Sequence, residues 1–269
     1  MTDIPRLLLG TLTNRPYVFA FLVVYLFLAI SKIGWRRTLV YTVMAYLIAW
    51  ACEWSSVHNG FPFGLYYYID KTSHLELWVA GVPFFDSLSF AFLAYVSYEL
   101  AVILRSPVRL GVPGFVAVDE TPAIRSSWVT TIYAGILMTF LDIVIDPLTL
   151  QGDRWFLGKI YYYPNGGQHF GVTITNYIGW FSLSVFISRA FLLVEKFFLA
   201  KWPVGGFDFP FKSVAPIGLY FGILGFNLTM TFRIGEITMG WASAFLVILL
   251  ILLVFQHFNS PYRTSGERP

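Results

Sequence analysis

Residues 213–232 read SVAPIGLYFGILGFNLTMTF, twenty positions without a charged side chain. At about 1.5 Å of rise per residue, a helix of this length covers about 30 Å, the thickness of a bilayer's hydrocarbon core. A surface helix in water would show a polar face, and this run has none. The stretch predicts a transmembrane helix. The composition extends that reading to the whole chain: 57% of the 269 residues are hydrophobic and 12% are charged, against about 25% charged in a soluble domain. Further spans are predicted over residues 16–33, 38–56, 79–104, 126–146, 172–198 and 237–258, each long enough to cross or nearly cross a bilayer. No internal repeat, heptad or barrel alternation is visible. Backbone groups in lipid must be satisfied within their own segment, which favours helices. The expected fold class is therefore all-α: a polytopic membrane helical bundle of about seven transmembrane helices, forming a single integral membrane domain over residues 1–269.

The first apolar stretch, Tyr17 to Ser31, runs into Lys32, Arg36 and Arg37 with no small-residue cleavage site. It reads as a span rather than a signal peptide. The single cysteine, Cys52, excludes a disulfide within the chain and disfavours a cysteine-ligated metal site. The small basic excess forms no face suited to nucleic acid. With seven spans, eleven Lys and Arg fall on the side of the C-terminus and six on the other, which predicts a cytoplasmic C-terminus. Residues 106–126 read as a polar, mobile connector, and the tail after Asn259 as disordered.

On this topology the unusual polar residues share one membrane face. Glu53 closes the second span, Asp86 opens the third, Asp142 and Asp146 close the fourth and Asn176 opens the fifth. Arg233 and Glu236 join the last two spans on the same side. Ionisable groups at membrane depth are costly and usually face a cavity or a partner, so their convergence predicts a polar pocket in that leaflet. The sharpest element is LDIVIDP, residues 141–147. Asp142 and Asp146 share a helix face, and Pro147 is expected to end the helix. Two carboxyls this close in an apolar setting are not expected both to ionise, and a retained proton is what a Brønsted acid needs. The spacing equally fits a plain alternative, in which these acids cap loops or pair with Arg154 or Arg233. His58 reads as an interfacial hydrogen-bonding residue. Glu99 and Arg189, both in the cytoplasmic half, read as a structural ion pair. The tyrosine runs 66–68 and 161–163 fit an aromatic belt by composition; they could equally line a cavity that stabilises a cation.

Absences narrow the chemistry. The four histidines form no HxxxH or HExxH pair, so no metal centre is expected. No dinucleotide or phosphate loop appears, and no cofactor is expected. The last lysine, Lys212, precedes the sixth span, which removes a retinal Schiff base from consideration.

The chain resembles the membrane carotenoid biosynthesis family that includes the carotenoid 1,2-hydratases, of the γ-carotene 1′-hydratase and bisanhydrobacterioruberin hydratase types. The resemblance is carried by Glu53 with GFPFGLYYY (60–68), by GVP (81–83), by DIVIDP (142–147) with Trp155, and by Gly171-Val172 followed by NYIGW (176–180). It covers roughly residues 50–180. Thr173 stands where the pattern suggests proline, and YYYPNGGQHFGV (161–172) is longer than the pattern. The resemblance implies cofactor-independent addition of water to the terminal double bond of an acyclic carotenoid, giving a tertiary alcohol. On that reading Asp142 and Asp146 supply the acid, and Glu53 or Asn176 orients water. Phe63, Tyr66, Trp155, Trp180 and Asp86 line the substrate site. The partners are then an acyclic carotenoid, water and membrane lipid, with other pathway enzymes as candidates, in a bacterial or archaeal cell membrane. Two rivals remain at this point. The DxxxD spacing resembles Mg-dependent membrane prenyltransferases, although a second aspartate-rich motif is missing. A non-catalytic carotenoid-binding or transport protein is the other.

Overall fold

The computed structural model describes residues 3–110, 116–202 and 204–260. Helix α1, Ile4–Asn14, has no counterpart among the expected spans. Next come α2, Pro16–Ile33, and α3, Trp35–Asn59. A loop follows with strand β1, Tyr67–Tyr68, and the hairpin of β2, Trp78–Val79, with β3, Val82–Pro83. Helix α4, Phe84–Arg105, leads to a second hairpin, β4, Val108–Leu110, and β5, Val116–Val118. The short α5, Pro122–Ser126, precedes α6, Trp128–Thr149. Strand β6, Tyr161–Tyr162, leads to α7, Ile174–Val194, which is prolonged by a π-helical turn, Glu195–Leu199. Helices α8, Ala215–Arg233, and α9, Ile237–Asn259, complete the described chain.

Among the described residues six helices, α2, α4, α6, α7, α8 and α9, are long and apolar enough to cross a membrane. The expected span 38–56 lies within α3, which is 25 residues long but is made more polar by Arg36, Arg37, Glu53 and His58. The architecture is an all-α polytopic bundle. Its axis is α4, which touches α2, α3, α6, α7 and α8. The sequence of α4 explains this place. FAFLAYVSYELAVI is apolar around its circumference apart from Ser97, the tyrosine hydroxyls and Glu99, and such a helix belongs at the centre of a bundle. The outer helices expose their apolar faces: Val23 and Phe27 on α2, Leu39, Val43 and Leu47 on α3, and Leu249, Leu252 and Phe255 on α9. Apolar cover on this scale suits an integral membrane protein.

The structure corrects four expectations. The span expected at 79–104 starts at Phe84, because Ala80 and Gly81 take positive φ and turn β2 back onto β3. Pro147 does not end α6 but lies inside it. Only a short remnant of helix follows, and Leu150 still donates to the Asp146 carbonyl at 2.9 Å, so the missing proline N–H costs little there. The connector 106–126 is structured where it is described: β4 pairs with β5, and Thr121 caps α5. Pro113 and Gly114 fall outside the described residues, as does the tail from residue 261 on. Glu99 is not paired with Arg189. It is fully buried and takes Lys32 at 2.5 Å and Arg125 at 2.8 Å, while Glu120 bonds both cations at 2.9 Å. Arg189 instead donates to the Ser126 carbonyl and stacks over Trp128. Arg15 immediately precedes α2. It is buried at the α1–α2 junction, where it forms a two-pronged pair with Glu76, at 2.9 Å and 2.7 Å. Its remaining nitrogen donates to the Leu157 carbonyl. This link ties the 70s loop and the 150s loop to the start of α2.

Candidate active site

A cavity of about 100 Å³ opens among α2, α3, α4, α6, α7 and α8 at the level of the converging acids. Glu53, Asp86, Asp146 and Asn176 all line it, as do Phe63, Tyr66, Trp155 and Trp180. Asp142 does not. It lies one helical turn before Asp146, fully buried behind Asn176. Arg233 and Glu236 are also outside the lining, and Arg154 is held by Glu236, so the acids are not partnered by arginine there.

The first acidic group is built by α3, the turn that follows it and the first turn of α4. Gly60, with φ 80°, caps α3, and Gly64 has φ 87° and donates to the Gly60 carbonyl at 2.9 Å. Both positions need the left-handed backbone that glycine adopts freely. The turn sends the chain back over Glu53. Phe63 is anchored by its N–H on Ser56 Oγ at 3.0 Å, and its ring is packed beside Phe90 and beneath Gly179. Tyr68 then reaches Glu53 Oε1 at 2.9 Å and Asp86 Oδ2 at 2.8 Å. The Ser87 hydroxyl donates to the other Glu53 oxygen.

The second group is built by α6 and α7. The Asn176 amide nitrogen donates to Asp142 Oδ2 at 2.8 Å and to Asp146 Oδ2 at 2.7 Å. The spacing of four residues on α6 makes this possible, since it stacks the two carboxyls on the face turned to α7. Among the described residues Asp142 Oδ1 and the Tyr161 hydroxyl are buried without a hydrogen-bond partner. Buried polar atoms are normally paired, so these two mark a place where polar chemistry is left open.

Much of the rest of the lining is aromatic. Strand β1 pairs with β6, Tyr67 opposite Tyr162 and Tyr68 opposite Tyr161. The tyrosine runs therefore alternate: Tyr66, Tyr161 and Tyr163 are buried, while Tyr67 and Tyr162 are exposed. The three buried rings form an edge-to-face cluster with centroids 5.6–6.0 Å apart. Phe90 and Trp180 meet at 4.6 Å on the opposite wall. Burial, together with the nearby carboxyls, holds the phenols of Tyr66, Tyr68, Tyr161 and Tyr163 above the ordinary tyrosine value. All four keep their hydrogens at neutral pH, and Tyr66 and Tyr68 donate theirs. Residue composition favours a belt for these runs. The alternation of burial is that of a strand with one buried face, and three identical residues in a row do not show it in the sequence.

Gly179 offers a check on this packing. A Cβ at 179 would lie 2.5 Å from the Phe63 ring and 2.9 Å from the Pro62 carbonyl. Gly179→Val is expected to displace Phe63 towards the cavity. The cost in stability is expected to be about 1–3 kcal/mol, read as a lower thermal midpoint of the purified protein.

A family model described as carotenoid biosynthesis protein matches residues 14–254. No curated protein and no solved structure matches the chain.

Proposed function

The chain belongs to the carotenoid biosynthesis protein family, and from that premise we propose that it hydrates the terminal C1=C2 double bond of an acyclic carotenoid end group to a tertiary alcohol. One observation carries the reading: carboxyl groups from two separate pairs, Glu53 with Asp86 and Asp146 with Asp142, border one small cavity whose other walls are mostly aromatic and aliphatic. Adding water to a trisubstituted alkene needs an acid, a place for a cation, and a base that holds water. A carboxylic acid gives its proton to C2, and the positive charge falls on C1, the more substituted carbon. The faces of Tyr66, Phe63 and Trp180 stabilise that charge. Water, oriented by polar groups on the far wall, attacks C1 and gives a proton to a carboxylate. No electrons are exchanged, and no redox partner is called for.

The size of the cavity supports the same reading. An apolar cavity of about 150 Å³ accepts benzene. A space of about 100 Å³ therefore suits a branched chain end and not a polyene. A long polyene is comparable in length to the hydrocarbon core, about 30 Å, so its end reaches one interface while the remainder stays among lipid. The reading includes a single membrane domain, a place in the bacterial or archaeal cell membrane and a cytoplasmic C-terminus.

The test is expression in a host that makes lycopene or a similar acyclic carotenoid, with labelled water and labelled dioxygen supplied in separate runs. The expected product is heavier by one water per reacted end, with its oxygen taken from water. Oxygen taken from dioxygen overturns hydration. A pigment that is bound with unchanged mass points to a carrier. Dependence on Mg²⁺ and a prenyl diphosphate points to a prenyltransferase.

A further inference from the structure

We infer that Glu53 and Asp86 share a proton across the Tyr68 hydroxyl, and that this site, rather than Asp142 with Asp146, is the acid of the reaction. The inference rests on the hydration reading for its second half and on hydrogen-bond arithmetic for its first. Tyr68 Oη has three oxygen neighbours: Glu53 Oε1 at 2.9 Å, Asp86 Oδ2 at 2.8 Å and the Tyr66 hydroxyl at 3.4 Å. A phenol carries one hydrogen. Tyr66 donates its own, so that contact is supplied from outside. Two contacts to carboxyls remain, and Tyr68 can donate to only one of them. The other is a hydrogen bond only if the carboxyl brings the hydrogen. Ionised carboxylates are pure acceptors, so one of the pair is a carboxylic acid.

Among the described residues no other side chain donates to this contact. Ser87 is committed to the second Glu53 oxygen, and Ser89 donates to the Asp86 main-chain carbonyl instead of its carboxyl. Arg15 is the nearest cation, but its donors go to Glu76 and to Leu157. Among the described residues neither Glu53 nor Asp86 forms an ion pair. The other pair differs. Asn176 has two amide hydrogens and gives one to each of Asp142 and Asp146. Of the two only Asp146 lines the cavity, and its place opposite the first pair suits it to accepting a proton from water. The resemblance points to the DxxxD pair as the acid; placement at the cavity, where both Glu53 and Asp86 but only Asp146 of the other pair are exposed to it, divides the roles the other way.

The step balances. An O–H bond of the Glu53/Asp86 site breaks as the C2–H bond forms. Water forms the C1–O bond and passes a proton to Asp146. That proton returns to the first pair before the next turnover. Tyr68 acts through the carboxyls as a positioning residue.

The test has two readouts on the full-length protein in lipid nanodiscs. Infrared spectra at neutral pH, in H2O and in D2O, detect the carbonyl band of a carboxylic acid by its isotope shift. Glu53→Gln and Asp86→Asn are each expected to remove that band, and Tyr68→Phe to move it. Tyr68→Phe is also expected to lower kcat about tenfold or more, within the range of general-acid effects, with KM within about twofold. An unchanged band in both carboxyl variants overturns the inference, as does a Tyr68→Phe protein with wild-type kcat and band position. A wild-type protein that shows the band yet leaves acyclic carotenoids unhydrated overturns the function and upholds the shared proton, because the band is read without substrate.

Discussion

Asp146→Asn is expected to lower product formation by about 10²–10⁴-fold, the range for losing a general base or acid. The argument is positional. Asp146 is the member of its pair that faces the cavity, and its Oδ2 is fixed at 2.7 Å from Asn176. Asparagine there keeps the volume and can still accept from Asn176 through its own carbonyl oxygen. What it loses is the capacity to take a proton from water. Asp142→Asn changes a carboxyl that does not border the cavity, so its loss should be the smaller of the two. Pigment from membranes holding equal amounts of each protein, resolved by mass, measures both. Full activity in both variants would end the acceptor role of this pair.

The second large effect lies away from the acids. Glu76→Leu is expected to cost about 3–5 kcal/mol, because it strands Arg15 as a buried, unpaired cation. Both side chains are almost wholly buried, at 2% and 0% exposure. Thermal unfolding in detergent should show a sharply lowered midpoint. The double variant Arg15→Leu/Glu76→Leu should recover much of the loss, since replacing both members of a buried pair by apolar groups is often close to neutral. A double variant as unstable as the single one would show that Arg15 matters through its bond to the Leu157 carbonyl. The pair also frames the cavity. Tyr17 and Val18 follow Arg15, and Trp155 and Ile160 flank Leu157, and all four line it. Loss of activity should therefore accompany loss of stability.

Much of the bundle was legible because lipid imposes a simple rule on composition. Residues 16–33 and 213–232 are apolar runs bounded by charge or proline, and α2 and α8 begin and end within two residues of them. Helix α1 escaped because only one stripe of it is apolar and it is too short to span. The start of α4 was misplaced because Trp78 and Val79 are as apolar as a span, and only the turn at Ala80 and Gly81 separates them from it. The convergence of Glu53, Asp86, Asp146 and Asn176 could be read from topology alone, since all fall at span ends on one side. What topology cannot give is rotation about a helix axis and loop return. Those decide that Asp142 is set back, that Tyr68 arrives between Glu53 and Asp86, and that Arg15 turns inward to Glu76. Each depends on contacts between residues 15 to 61 positions apart, or 34 in the case of Asp142 and Asn176.

The narrowness of the chamber has a consequence for traffic. If the substrate is a long polyene, a room that admits only its tip is blind to the opposite terminus. A symmetric pigment would be handled in two independent visits, released and turned end for end between them. Half-finished molecules would then accumulate in the surrounding lipid as free intermediates, open to capture by any neighbouring enzyme before the second visit.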